Sequence, residues 1–257
     1  MTRFFFKLTI LFFCSIGPIN AQEIHSSSYK KISVVWLEHS AFIVNHREQS
    51  VRTLYQDMDR SYYITETGEY SIEEVEKMTQ EGVKVSYWES QSKYQTQVDF
   101  KMLSVVGPFI SYQEDYYSEG GAHPSYGTGF ETHHMKTDSS IRLHDIFNES
   151  DILNALQKNE FIQSHLTEEK YYRSIQSLFE HLDGDCNHYF SIENLRHFAF
   201  HHIKDNEVAV RIGISYGCEV MRGNFSQVEL YLPIPRSLKK IFKQAKEKGL
   251  LMAELHK

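Results

Sequence analysis

The residue pattern predicts an α+β fold, mainly antiparallel sheet packed with a few helices, in two subdomains that share a core. Three observations carry this expectation. Runs rich in β-branched and aromatic residues recur through the chain, as in 98–112, 198–212 and 228–232. Stretches with helical spacing are short and scattered among them. Strands and helices do not alternate in the βαβ order that a parallel sheet requires.

The elements follow in order. Arg3 and Lys7 precede the apolar run 8–16, which is closed by Gly17-Pro18 and Ala21. That is the charged start, apolar centre and small-residue exit of a cleaved secretory signal peptide, residues 1–21. The run is about half of the roughly 20 apolar residues a spanning helix needs. No later stretch is long enough, so no transmembrane segment is expected in the mature chain. Residues 22–28 are serine-rich and read as a flexible leader. Residues 32–37 are strand-like. In 45–60, Val51, Leu54, Tyr55 and Met58 fall at helical spacing. Ser71 and Glu74 form a capping box opening a helix to about Gln80. Residues 83–88 alternate, and 98–112 are rich in strand formers.

Beyond residue 115, placed as the boundary between subdomains 22–115 and 116–257, lies the least ordinary stretch. Tyr117 leads to Gly120-Gly121-Ala122-His123, followed by Tyr126, Gly127 and Gly129. Residues 135–138 read as a turn between strands, and 143–147 as the approach to a helix capped by Asn148 or Ser150. A second helix is expected over 167–182, with Tyr171, Ile175, Leu178, Phe179 and Leu182 as its apolar stripe. Residues 198–203 and 207–212 flank Lys204-Asp205-Asn206 as a hairpin. Residues 228–232 make a further strand, and Pro235 starts a terminal helix with Leu238, Ile241, Phe242 and Ala245 on one face.

Charge narrows the partners. Removing 1–21 leaves 25 basic residues against 34 acidic ones, a net charge of −9. An acidic surface disfavours nucleic acid and anionic membrane, both of which require basic patches. Cys186 and Cys218 remain in the mature chain, an even pair that in an exported protein favours a disulfide over two buried thiols.

The motifs that suggest catalysis each lack a part. His123, His133, His134 and His144 crowd one region, but no pair has the His-x-x-x-His spacing. Adjacent residues on a regular strand point to opposite faces, so His133 and His134 cannot share a site there. The pattern around Ser125 lacks the first glycine of a nucleophile elbow. The Asp183–Asn194 stretch imitates a calcium loop, yet His188 replaces the turn glycine and Asn194 the bidentate glutamate. No catalytic residues, cofactor or metal are expected. Gly120, Gly121, His123, Tyr117 and Tyr126 are the candidate binding residues.

Gly120-Gly121-Ala122-His123, with Leu143-His144-Asp145-Ile146-Phe147 downstream and Leu232-Pro233-Ile234-Pro235 before the last helix, resembles the RsiV-type extracellular domain over about residues 95–245. The resemblance implies a domain of the binding kind, known as the lysozyme-binding part of a membrane-bound anti-sigma factor and as an accessory region of a peptidoglycan deacetylase. It leads to the expectation of a periplasmic or secreted, non-enzymatic module whose partner is a protein or a peptidoglycan fragment. The alternative is a metal-assisted hydrolase using histidines of the Gly-Gly-Ala-His region.

Overall fold

The computed structural model describes residues 25–59, 70–81, 96–119, 123–137, 139–168, 170–182, 190–215 and 225–255. The signal segment 1–21, the expected strand 83–88, Gly120, Gly121, Ala122, Cys186 and Cys218 lie outside the described residues. Within them the chain is α+β, with antiparallel sheets and short helices.

Strands β1 (His25–Tyr29), β2 (Ile32–Trp36), β3 (Ser40–Asn45) and β4 (Ser50–Gln56) form an antiparallel meander in that order. Two expectations fail here. The serine-rich start is a strand, paired with β2 from His25↔Trp36 to Tyr29↔Ile32, because backbone hydrogen bonds to β2 do not depend on apolar side chains. The helix expected over 45–60 is instead β4. Val51 packs with Phe42 and Val44 on one face while Tyr55 enters the main core on the other, because β4 carries an extra residue at Leu54, and that bulge is what gives a strand the uneven apolar spacing of a helix. The turn decides between them. Asn45 Oδ1 accepts from the Arg47 and Glu48 amides at 3.1 and 3.2 Å, and Gln49 takes φ 52°, so the chain reverses before β4.

After β5 (Met58–Asp59) comes α1 (Ile72–Glu81), opened by the expected capping box. The Ser71 amide donates to Glu74 Oε2 at 2.6 Å, and the Glu74 amide donates to Ser71 Oγ at 3.2 Å. Val75 packs with Leu37, Phe42 and Val44, while Ile43 and Val34 on the other face enter the main core. Strand β3 is therefore buried on both sides.

The second sheet has the order β5, β6 (Thr96–Val106), β7 (Phe109–Ser118), β8 (Ser125–His134) and β9 (Ser139–Ser140), all antiparallel. Its tightest turn rests on Gly107, at φ 57°, where a side chain would be both strained and within 3 Å of Ile241. Strand β7 runs through residue 115, the expected subdomain boundary.

Next come a 3-10 turn (Leu143–Asp145), α2 (Glu149–Lys158), α3 (Glu160–Ser164) and α4 (Ile175–Phe179), then a 3-10 helix (Ile192–Arg196). The helix expected over 167–182 is reduced to α4. Ile175, Leu178, Phe179 and Leu182 are buried as expected, but Tyr171 is exposed. Leu166 bridges to Leu182, the Thr167 amide donates to the His181 carbonyl, and the Tyr172 amide donates to Gln157 Oε1. These bonds draw the preceding chain across the helix end, and Ser174 caps α4 through the Ser177 amide.

The third sheet is β10 (Phe198–Lys204), β11 (Glu207–Ser215) and β12 (Phe225–Pro233), with the expected hairpin reversing at Asp205, φ 54°. The terminal helix α5 (Lys239–Glu247) begins after a turn in which the Leu238 amide donates to the Pro235 carbonyl, and α6 (Met252–Leu255) follows. One buried cluster takes residues from Val34 to Leu251. Two interior hydroxyls join the second and third sheets. Thr132 Oγ1 donates to the Phe198 carbonyl of β10, which leaves Ser111 Oγ to donate to Thr132 Oγ1 at 2.9 Å.

Candidate functional site

The pairing of β7 with β8 arranges one face as a row running from an exposed tip to the core. Tyr116 stands opposite Gly127, Glu114 opposite Gly129, Tyr112 opposite Glu131, and Ile110 opposite His133. The Tyr116 ring lies across Gly127, where any Cβ would collide with it. Nothing comes within 4 Å of the space a Gly129 side chain would fill. The two glycines thus leave β8 bare beneath a tyrosine and a carboxyl. Burial, then the neighbouring Glu131 and Asp115 charges, raise the Glu114 carboxyl above its usual range. At the inner end, His133 Nε2 lies 3.2 Å from the Tyr112 hydroxyl and 3.8 Å from Glu131 Oε2, and His197 Nδ1 is 3.6 Å from Glu131 Oε1.

The opposite face of the same tip carries Tyr117 paired with Tyr126, and the Tyr117 hydroxyl donates to Glu119 at 2.7 Å. Tyr116 is 42% exposed and Tyr126 48%. Aromatic surface with carboxylates around it offers stacking and charged acceptors, the groups that hold a sugar or a cationic protein segment. Of the residues expected to bind, Tyr117 and Tyr126 are brought together, and exposed His123 lies just before the start of β8. Gly120 and Gly121 lie outside the described residues.

The four central histidines part company. His133 and His134 take opposite faces, as strand alternation requires. His134 meets the Phe109 ring edge-on and accepts from the Lys136 amide. His144 sits beside Asp145 on the 3-10 turn, 3.9 Å from it. Ser125 begins a strand rather than an elbow. Asn194, the last position of the calcium-like stretch, accepts from the Ser191 amide at 2.7 Å in a capping box.

Another pair of adjacent histidines does converge, and sequence reasoning missed it. Strand β10 slips register between Phe200 and His202, so His201 is the extra residue of a β-bulge. His201 and His202 then turn their rings to each other, with Nδ1 atoms 2.7 Å apart. His201 Nδ1 is 3.4 Å from Glu229 Oε2 of β12. The floor between them is Ala209, which pairs with His202 on one side and Tyr231 on the other. The Tyr231 hydroxyl donates to Glu229 Oε1 at 3.0 Å, and Arg211 Nε donates to Oε2 at 3.3 Å. Burial, then the Arg211 cation, lower the His201 imidazole below its ordinary value, against the pull of Glu229. Glu229 and Tyr231 also line a groove of about 630 Å³ between β12 and α2, which Asp151, Glu160 and Glu207 make acidic. A signal for the bulge was present: Phe198, Phe200 and Ile203 all face the core, and their parity flips between 200 and 203.

Among the described residues, no helix is long and apolar enough to cross a membrane. No protein-family model matches the chain, and no curated protein matches it either.

Proposed function

We propose that the protein is an exported, non-enzymatic binding module of the bacterial cell envelope, of the RsiV-type kind, whose ligand is a protein or a cell-wall fragment. The observation that carries this reading is the β7–β8 tip. It exposes Tyr116 on one face, over Gly127 and in line with Glu114 and Gly129, and Tyr126 on the other face, opposite Tyr117 with Asp115 and Glu119 nearby. Large aromatic side chains exposed on a fixed strand pair lose little conformational freedom on binding, which is why tyrosine is favoured at contact hot spots. The acidic balance of the chain favours a basic protein over an anionic polymer. The two subdomains expected on either side of residue 115 enter this reading as one unit, because β7 carries the boundary within a paired strand.

Biolayer interferometry with lysozyme and with soluble muropeptides as probes tests the reading. One of the two should bind saturably, and a Tyr116→Ser, Tyr126→Ser double variant should lose at least about tenfold in affinity at unchanged melting temperature. Equal affinity of the variant would remove the tip from the function, and no binding of either probe would remove the two ligand classes. Intact mass of the protein recovered from periplasm or medium tests export. It should begin near Gln22 and be two hydrogens lighter than the reduced chain if Cys186 and Cys218 are bridged.

A further inference from the structure

The histidine pair of the third sheet is a different site, on different strands from the tyrosine tip, and its inference stands independently of the proposed ligand. We propose that His201, His202 and Glu229 form a binding site for a divalent transition metal of the zinc class, with an open coordination position towards the groove between β12 and α2.

Geometry argues first. One ligand atom from each of the three residues falls within 4.8 Å of the other two. Zinc bonds nitrogen at about 2.0–2.1 Å in a tetrahedral shell, which places its ligand atoms about 3.3 Å from one another. The His201–Glu229 separation of 3.4 Å already matches. The two imidazole nitrogens, at 2.7 Å, need to part by about half an ångström, which small rotations of two ring side chains provide. At 2.7 Å one Nδ1–H donates to the other Nδ1, and ligation through both moves that proton to Nε2 of the same ring through solvent.

The construction of the site argues next. The bulge overrides strand alternation, and Ala209 keeps the floor low enough for a ring on each side. Glu229 is oriented by the Tyr231 hydroxyl on Oε1, so that Oε2 faces His201, the arrangement in which an outer hydrogen bond aims a ligating carboxylate. Two nitrogens and one carboxylate oxygen suit zinc, nickel or copper and are a poor set for calcium or magnesium, which prefer all-oxygen shells. Glu229 also lines the groove, so a fourth ligand, water or a donor from a bound molecule, has room to enter.

Arg211 opposes the cation, since it shares Oε2 of Glu229 and brings a positive charge beside His201. It has an alternative partner in Gln227 Oε1, at 3.1 Å, and can give up the carboxylate without losing all its bonds. Arg211 is therefore a brake on affinity, and its removal should strengthen binding.

Calorimetric titration of zinc chloride into the EDTA-stripped, dialysed full-length mature protein tests this. The expected result is one zinc per chain, with affinity falling about 10–100-fold in His201→Ala and in His202→Ala, and with calcium and magnesium giving no comparable heat. Arg211→Gln should bind severalfold more tightly, a gain that misfolding cannot imitate. Cobalt substitution should give the intense visible absorption of a four- or five-coordinate ion, absent in His202→Ala. Absence of saturable zinc binding, undiminished affinity in both histidine variants, or no gain in Arg211→Gln would each overturn the site.

Discussion

His133-His134 and His201-His202 are the same dipeptide placed on two strands, and the folded chain treats them in opposite ways. On β8 the ladder to β7 is regular, so His133 joins Tyr112 and Glu131 on one face and His134 meets Phe109 on the other. On β10 one residue is inserted, and the two rings meet. The difference lies in what the flanking residues demand. Phe130 and Thr132 on β8 keep one parity into the core. On β10 Phe198, Phe200 and Ile203 all have to be accommodated on the core side, and only an extra residue between 200 and 203 permits it. Apolar burial outside the pair thus decides whether two neighbouring polar side chains converge.

The largest effect should come from removing the anchor of the bulge. Phe200 is fully buried against Phe109, Phe198 and Phe242. Phe200→Ala should destabilise the fold by about 3–5 kcal/mol in denaturant melts, and in the surviving folded protein it should loosen the histidine pair. A loss below about 1 kcal/mol would mean that Phe200 does not anchor β10.

On the regular strand, Thr132→Val keeps shape and removes the hydroxyl that joins the Ser111 side chain to the Phe198 carbonyl. Two buried polar groups lose a partner, so the expected cost is about 1–3 kcal/mol. A neutral result would show that the sheets are held in register without this bond. A smaller effect, about 1 kcal/mol or somewhat more, is expected for Gly107→Ala, since the turn that sets the β6–β7 register needs positive φ there. Hydrogen exchange along β7 should rise with it, and unchanged stability would contradict the reading of that turn.

The smallest effect is common to the two pairs and is read by titration. His201 is lowered by burial and then by Arg211, while Glu229 acts the other way and His202 with them. His134 is lowered by burial and then by Lys136. In the unfolded chain both protonate near 6.5, and in the folded chain only at lower pH. The unfolded state therefore gains protons first as pH falls. The contribution of these groups to stability is present above 6.5, declines below it, and levels off once the folded imidazoles protonate. His201→Asn and His134→Asn should each flatten that decline. A slope unchanged in both variants would show that neither imidazole is held neutral by its surroundings.

Much of the sheet structure was legible. The Lys204-Asp205-Asn206 hairpin, the capping box at Ser71 and the strand containing 228–232 follow from local chemistry that tertiary contacts reinforce. Local pattern failed where a bulge broke the strand period, as between Val51 and Tyr55, or where a long-range bond redirected the chain, as the Leu166–Leu182 bridge does before α4. The serine-rich start became β1 because its partner strand, not its side chains, stabilises it. The tyrosine pair at 117 and 126 was legible as composition, but its cross-strand register was not. The His201-His202-Glu229 cluster was hidden because it joins strands through a bulge, and strand alternation applied without that bulge separates its members.

The contrast between the two histidine pairs is tested most directly by following the imidazole nitrogens in NMR spectra of uniformly labelled protein during a zinc titration. The account predicts large, saturating shifts at Nδ1 of His201 and His202 by one equivalent, with His133 and His134 unmoved. Shifts at His133 and His134, or weak parallel shifts across all the histidines, would contradict it.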